Sequence, residues 1–353
     1  MRIFLLLLLA TPVFAQPAPT AKPFLSSPRR AFTAPELKDA PDEWIARSFA
    51  WADDMFRTYP PALPEHPARR AALIRLDDIL HIQSAPAKPI VQQFYHAQVT
   101  RGVEEIEKTK LTQGARLWKI YSHSWIVRTP SVTVAFDLVP GPPRNEGFAL
   151  PTALLERIVR QADVLFISHL HSDHANKAVA RMFLQQGKKV VAAEGLWKDD
   201  AEFAGRLIYP QRSAETVHQL LVREGGPTLR YVAYPGHQGK APINNNHLVI
   251  TPESFTVIHT GDQSSDDNDW SDFNWINNVG FQHKVDVLLP NCWTTDIQRM
   301  ARGVNPKLIL TGHENEMSHT VDHREDYTQT YNHLFGSPYP FVVMSWGESY
   351  LIP

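Results

Sequence analysis

Val164-Leu165-Phe166-Ile167, followed at once by Ser168-His169-Leu170-His171-Ser172-Asp173-His174, decides how this chain is read. Four consecutive apolar residues describe a buried strand. A strand end fixes the backbone, and the loop after it exposes side chains. His169 and His171 stand two apart, so on an extended segment they point the same way and both can reach one metal ion. Asp173 and His174 lie past a turn, where the chain folds back towards a neighbouring position. Packing would not select three imidazoles and a carboxylate there, because each buried polar group needs a partner. Histidine is the commonest metal ligand, and the chain has 16 of them.

Outward from this stretch, strands and helices alternate. Upstream, residues 117–120, 124–128 and 132–136 are short strand-like segments split by turn residues. Downstream, Ala175 to Gln186 reads as a helix with Gly187 in the place of a C-terminal cap. Residues 190–193, 229–234, 247–251, 255–259, 285–289 and 307–310 continue the strand series. Strands mixed with βα units predict an α/β layered domain over residues 111–353.

His-x-His-x-Asp-His after an apolar strand resembles the signature of the metallo-β-lactamase fold superfamily, and the resemblance extends from about residue 115 to the C-terminus. Tyr121 to Arg128, then Val132 to Asp137, is similar to the opening hairpin of one branch, the N-acyl-phosphatidylethanolamine phospholipase D-like and ascorbate-phosphate lactonase-like proteins. That pattern is Gly-His-Ser, apolar residues and a strand-ending Asp; Ser122 stands in place of the Gly. The resemblance implies a four-layer αββα sandwich.

It also implies two metal sites. His169, His171 and His237 would hold the first ion, and Asp173, His174 and His313 the second, with Asp262 shared. A carboxylate can donate one oxygen to each of two cations, which an imidazole cannot. His237 lies in a Gly-containing loop after strand 229–234, with His247 as its rival. His313 follows strand 307–310, with His319 or His323 as alternatives. Glu314 and Glu316 would orient imidazoles through the ring nitrogen that does not bind metal. Asp266, Asp267 and Asp269 read as a solvated acidic loop, and Cys292 as a buried, inert thiol. Nitrogen and oxygen ligands without thiolate suit zinc, with manganese or iron as alternatives.

The implied activity is hydrolysis of an ester, lactone, amide or phosphodiester by a hydroxide held between two divalent ions. Asp173 would orient the hydroxide. His123 and His319 are candidates for oxyanion stabilisation or leaving-group protonation. Retention of Asp262 favours phosphodiester, lactone or thioester substrates over β-lactamase-type amide hydrolysis. A non-catalytic metal-binding protein of the same fold and an oxygen-using di-iron member are the other readings.

The flanks add an address and an extension. Met1 to Ala15 has a positive start, a short apolar run and a small terminal residue, as in a signal peptide cut after Ala15, which predicts a periplasmic or secreted protein. Residues 16–40 are an irregular Pro-rich leader. Residues 41–110 read as three helices: one with Trp44, Ile45, Phe49, Ala52, Met55 and Phe56 on one side, a second from Pro67 to His81 with Ala71, Ile74 and Ile79 inward, and a third from Pro89 to Lys108. This helical extension packs on or covers the main domain, as core, lid or homodimer contact. No later stretch is apolar enough to span a membrane. A net charge of −2 gives no reason to expect nucleic acid, which leaves a small-molecule or lipid-like substrate. One Cys excludes an internal disulfide and a Cys-rich zinc module.

Overall fold

The computed structural model describes residues 39–142, 144–238, 243–263, 275–294 and 296–353. The stretch read as a signal peptide, nearly all of the expected Pro-rich leader, and Asp266, Asp267 and Asp269 lie outside the described residues.

Two sheets stack face to face. The first contains β1 (Ala115–Tyr121), β2 (Ser124–Arg128), β3 (Thr133–Phe136), β4 (Val164–Ile167), β5 (Lys189–Ala192) and β13 (Ser349–Ile352), in the order β13-β1-β2-β3-β4-β5. The second contains β6 (His218–Leu221), β7 (Thr228–His237), β8 (Ile243–Ile250), β9 (Thr256–His259), β10 (Val287–Leu289), β11 (Leu308–Leu310) and β12 (Phe341–Val342), in the order β12-β11-β10-β9-β8-β7-β6. Strands β3, β4 and β5 are parallel, as are β9 to β12. Parallel strands put their C-terminal ends on one side, so the loops after β3, β4, β9 and β11 can meet.

The alternation of side chains along each strand builds the layers. Val164 and Phe166 of β4 pack between the sheets with Val134, Phe136, Val249, Val257 and Leu289. Leu165 and Ile167 face the other way, into a core shared with α4 (Thr152–Gln161) and α5 (Lys177–Gln185). Asn176 caps α5, its side chain accepting from Val179 N at 3.0 Å. Beyond the short α6 (Ala201–Ala204), the helices α7 (Ile276–Gln282) and α8 (Ile297–Val304) cover the outer face of the second sheet through Val279, Met300 and Val304. The order of layers is therefore αββα, as expected.

The extension forms α1 (Asp42–Thr58), α2 (Pro67–Leu80) and α3 (Pro89–Lys108). Its aromatic side chains are core: Trp44, Phe49, Phe56, Phe94 and Tyr95 join one buried cluster with Trp118, Tyr121 and Trp346 of the sheet side. Phe49 stacks on Phe94 at 4.1 Å, and Tyr95 meets Tyr121 at 5.4 Å and Trp346 at 5.2 Å. Each large buried side chain contributes about 1.5–3 kcal/mol. Arg69 of α2, fully buried, donates through both Nη atoms to the Glu348 carboxylate and ties the extension to the C-terminal strand. The inward face of α2 differs from the expected one. Ile79 is buried, but Ala71 is only partly so and Ile74 is 41% exposed. Leu73, Leu76 and Leu80 do the packing instead, because the buried face is set by tertiary contact with α1 and with the helix at Tyr327–His333.

Another difference concerns residues 234–247. The ladder of β7 runs on through Pro235 and Gly236 to His237, which pairs with Ile243, so His237 ends a strand rather than sitting in a loop. His247 is inside β8, not at its start. Gly236 is needed there because a Cβ would lie 2.2 Å from both Asn246 Nδ2 and Gln263 Oε1. The glycine that reads as a loop marks a crowded strand.

Candidate metal centre

Four strand tips build the site. Asp137 follows β3 in a left-handed conformation, with φ of 43°. The next strand, β4, delivers Ser168, His169, His171, Asp173 and His174, Asp262 follows β9, and His313 follows β11. The liganding atoms of Asp173, His174, Asp262 and His313 lie within 4.8 Å of one another, and so do those of His169, His171 and Asp262.

Asp262 stands between the two groups. Its Oδ1 is 3.1 Å from His174 Nε2 and 3.6 Å from His313 Nε2, while Oδ2 is 3.6 Å from His169 Nε2. Gln238 Nε2 donates to Oδ2 at 2.9 Å, and the Asp262 amide donates to Asn244 Oδ1 at 3.2 Å. Asp173 Oδ2 lies 3.3 Å from both His174 Nε2 and His313 Nε2.

Asp137 explains which ring nitrogens face the centre. His174 Nδ1 donates to Asp137 Oδ2 at 2.7 Å. Ser168 Oγ donates to the same oxygen at 2.5 Å and accepts from His169 Nδ1 at 2.9 Å. With both Nδ1 atoms committed as donors, Nε2 is the nitrogen of each ring aimed at the centre, and it offers a lone pair there when the ring is neutral. His169 Nε2, His174 Nε2 and Asp262 Oδ1 are buried and make no hydrogen bond. Buried polar atoms left so are costly unless something else satisfies them, and this donor set fits a divalent cation.

The charges are tightly interdependent. Burial pushes the His169 imidazole down to about 3. Burial also works against protonation of His174 and His313, but the Asp262 and Asp173 carboxylates outweigh it and raise both well above the ordinary range. Conversely, burial would raise the Asp262 carboxyl, yet His174 and His313 hold it far below its usual value.

The other expected residues fall in different places. His237 is buried at the end of β7 and belongs to none of these close groups; its neighbour Gln238 reaches Asp262. His247 is buried with Nε2 3.3 Å from the Ile167 carbonyl, a position behind the strand tip. His323 is exposed beside Asp322. His319 is partly exposed, its ring 5.4 Å from that of His313. His123 is wholly buried, stacked on His259 at 4.0 Å and pressed against Gly312, where a Cβ would come within 2.0 Å of its Nδ1. Among the described residues, neither of its ring nitrogens has a hydrogen-bond partner. Cys292 is buried, and burial pushes its thiol up.

Glu314 orients no imidazole: it forms a fully buried ion pair with Lys119 and accepts from Thr330 Oγ1 at 3.0 Å. Glu316 accepts from Tyr121 OH at 2.8 Å and from the amides of Ser318 and His319, bracing the turn that carries His319. The carboxylate facing His313 is Glu325, with Oε2 3.6 Å from its Nδ1 and 3.9 Å from His319 Nδ1. Burial opposes ionisation of Glu325, but the two imidazoles bring it down to about 2. Glu325 follows no strand and so carries no mark in the sequence, where Asp137 reads only as a strand end.

Beside His319 opens a cavity of about 810 Å³, within the size range of small-molecule sites. Its walls come from the extension (His81, Pro86, Ala87), from Arg144 and Asn145, and from the segment Met317 to Arg324.

No protein-family model matches the chain, and no curated protein matches it. Solved structures do. Igni18, a metallo hydrolase from the hyperthermophilic archaeon Ignicoccus hospitalis, aligns over 68% of this chain and 99% of its own, with 16% identity and a TM-score of 0.52. The fold is the metallo-β-lactamase sandwich. A possible metal-dependent hydrolase from Veillonella parvula aligns over 68% of this chain and 100% of its own (14% identity, TM-score 0.49). The metallo-β-lactamase fold protein YhfI from Bacillus subtilis covers the same shares at 12% identity and a TM-score of 0.45. In this sandwich the strand tips after β3, β4, β9 and β11 share one edge, which is where the expected ligands other than His237 gather. Ser122, in place of the Gly of the hairpin pattern, has φ of 44°, the left-handed backbone that favours glycine.

Proposed function

We propose that this protein is an exported, metal-dependent hydrolase acting on an ester, lactone or phosphodiester bond of a small-molecule or lipid-like substrate. The observation that carries the reading is Asp262, whose two oxygens face different imidazoles, His174 and His313 on one side and His169 on the other. A carboxylate so disposed suits a pair of cations, one held by His169, His171 and His237 and the other by Asp173, His174 and His313. The donor atoms fit zinc, and manganese or iron as well. When bound, such ions supply Lewis acidity and a water of lowered pKa.

The chain's own groups have distinct tasks in this reading. Asp173, equidistant from His174 and His313, orients the attacking water. His319 stands on the cavity wall. Burial opposes its protonation, but Glu325 more than offsets this and raises its pKa, which suits a group that protonates the leaving atom. The mixed apolar and polar cavity receives the body of the substrate. Export rests on residues 1–15 alone. No helix among the described residues is long and apolar enough to cross a membrane.

Metal analysis of the purified protein should find close to two ions per chain, and His237→Ala should weaken one of them. Turnover is then measured on p-nitrophenyl butyrate, a γ-lactone, bis(p-nitrophenyl) phosphate and the β-lactam nitrocefin, with zinc or manganese present. Activity is expected on at least one of the first three and not on the β-lactam. Two bound ions with no turnover on any compound would instead favour a non-catalytic metal protein.

A further inference from the structure

We propose that Asp77, in the last turn of α2 of the extension, is a positioning residue for the second metal site, reaching it through the segment that carries His313, His319 and Glu325. This rests on the metal-centre reading above. Asp77 lies on a helix remote in sequence from every expected ligand, yet its buried carboxylate accepts four hydrogen bonds from that segment. Tyr327 N donates to Oδ1 at 2.9 Å and Asn315 Nδ2 at 3.2 Å; Thr328 N and Oγ1 donate to Oδ2, both at 3.0 Å. Asn315 stands two residues after His313, and Tyr327 two after Glu325, so the carboxylate grips both ends of the liganding segment. Asn315 N closes it by donating to the Glu325 carbonyl at 2.7 Å.

The end of α2 adds two more ties. Arg324 Nη1 donates to the Leu80 carbonyl, and His81 Nε2 donates to the Arg324 carbonyl. Glu325, next along the chain, faces Nδ1 of His313. The backbone held this way is not one that would persist unaided: His313 and Asn315 both have positive φ, 77° and 55°. All four partners of Asp77 are donors, so the position needs an acceptor-only group. Burial raises its carboxyl to about 7, and the test is therefore run at pH 8, where the carboxylate form dominates.

Asp77→Asn keeps the shape but turns an amide NH₂ towards donors. Zinc affinities of both sites are measured by chelator competition, and cobalt(II) absorption reports the geometry of the second. Expected is a loss of about tenfold in second-site affinity, the size typical of groups that orient ligands, with the first site unchanged and the second-site cobalt spectrum altered. Val103→Ala, which opens the buried face of α3 away from this contact, serves as the destabilising control and should lower Tm without moving either affinity. If Asp77→Asn does not fold, Thr328→Val removes one of the four bonds and should weaken the second site about threefold, in proportion. Unchanged affinities and spectrum in the folded variant, or equal losses in the control, would overturn the proposal. A wild-type chain that binds fewer than two ions defeats the dinuclear reading itself, and is seen before any variant is made.

Discussion

The two arms of the metal centre are secured by different means. The first arm, His169 to His174, follows a buried parallel strand and is braced by Asp137 from the strand beside it. Its imidazoles are oriented from the neighbouring strand of the same sheet, and β8 of the second sheet adds a bond from Asn245 N to the Ser168 carbonyl at 2.8 Å. The second arm runs from His313 at the tip of β11 to Glu325 and then into α9 (Tyr327–His333); β1 braces it through Lys119 and Tyr121, and the extension adds a further tie, up to 251 residues away in sequence. Sheet hydrogen bonding fixes the first arm as part of folding the strands. The second is tied down by a separate layer of helices as well as by the sheet.

The comparison can be broken most severely at the residue common to both arms. Asp262→Ala should remove one bound ion and cut kcat/KM by on the order of a thousandfold, about 4 kcal/mol; an unaltered metal count would mean that the arms do not share this carboxylate. Next in size are the bracing carboxylates. Asp137→Asn disturbs the ring nitrogens of both His169 and His174, so both ions should be held about 10–100-fold more weakly. Glu325→Gln touches His313 and His319 only, so one ion should weaken by about tenfold. Isothermal titration with zinc separates the two cases, and identical patterns would erase the distinction between the arms.

The smallest expected effect is on protons. His174 and His313 are held charged by Asp262 and Asp173, whereas His169 is already neutral near pH 7. Metal requires neutral imidazole, so zinc uptake should release protons at neutral pH and tighten as pH rises from 6 to 8. Calorimetry in buffers of different ionisation heat reads this release. Uptake without release would show that the imidazoles are neutral beforehand.

What could be read in advance follows the same division. The first arm is compact in sequence, with its ligands packed into six residues after an apolar strand, and it was legible at once. Asp262 and His313 were legible because each follows a short apolar strand, and the family resemblance then gave them roles. Asp137 was visible as a strand end, but its purpose depends on β3 lying beside β4, a pairing across 31 residues between Asp137 and Ser168. Glu325 and Asp77 carry no local mark. Each is an acid with a neighbouring acid, Asp326 and Asp78, and nothing in the spacing says which member turns inward. The burial of His123 was not legible in the hairpin, because it comes from the tight approach of Gly312.

The shared core has a practical consequence for anyone trimming this protein. A fragment starting at residue 111 would retain every expected ligand. It would also strip α3 from Trp118, whose Nε1 donates to Glu105 at 2.8 Å, and from Tyr121 and Trp346, which rest on Tyr95. Aromatic side chains of this kind each cover about 150–250 Å², and together they would form a sticky patch large enough to drive aggregation. Insoluble inclusion bodies, rather than a minimal enzyme, are the outcome such a fragment invites.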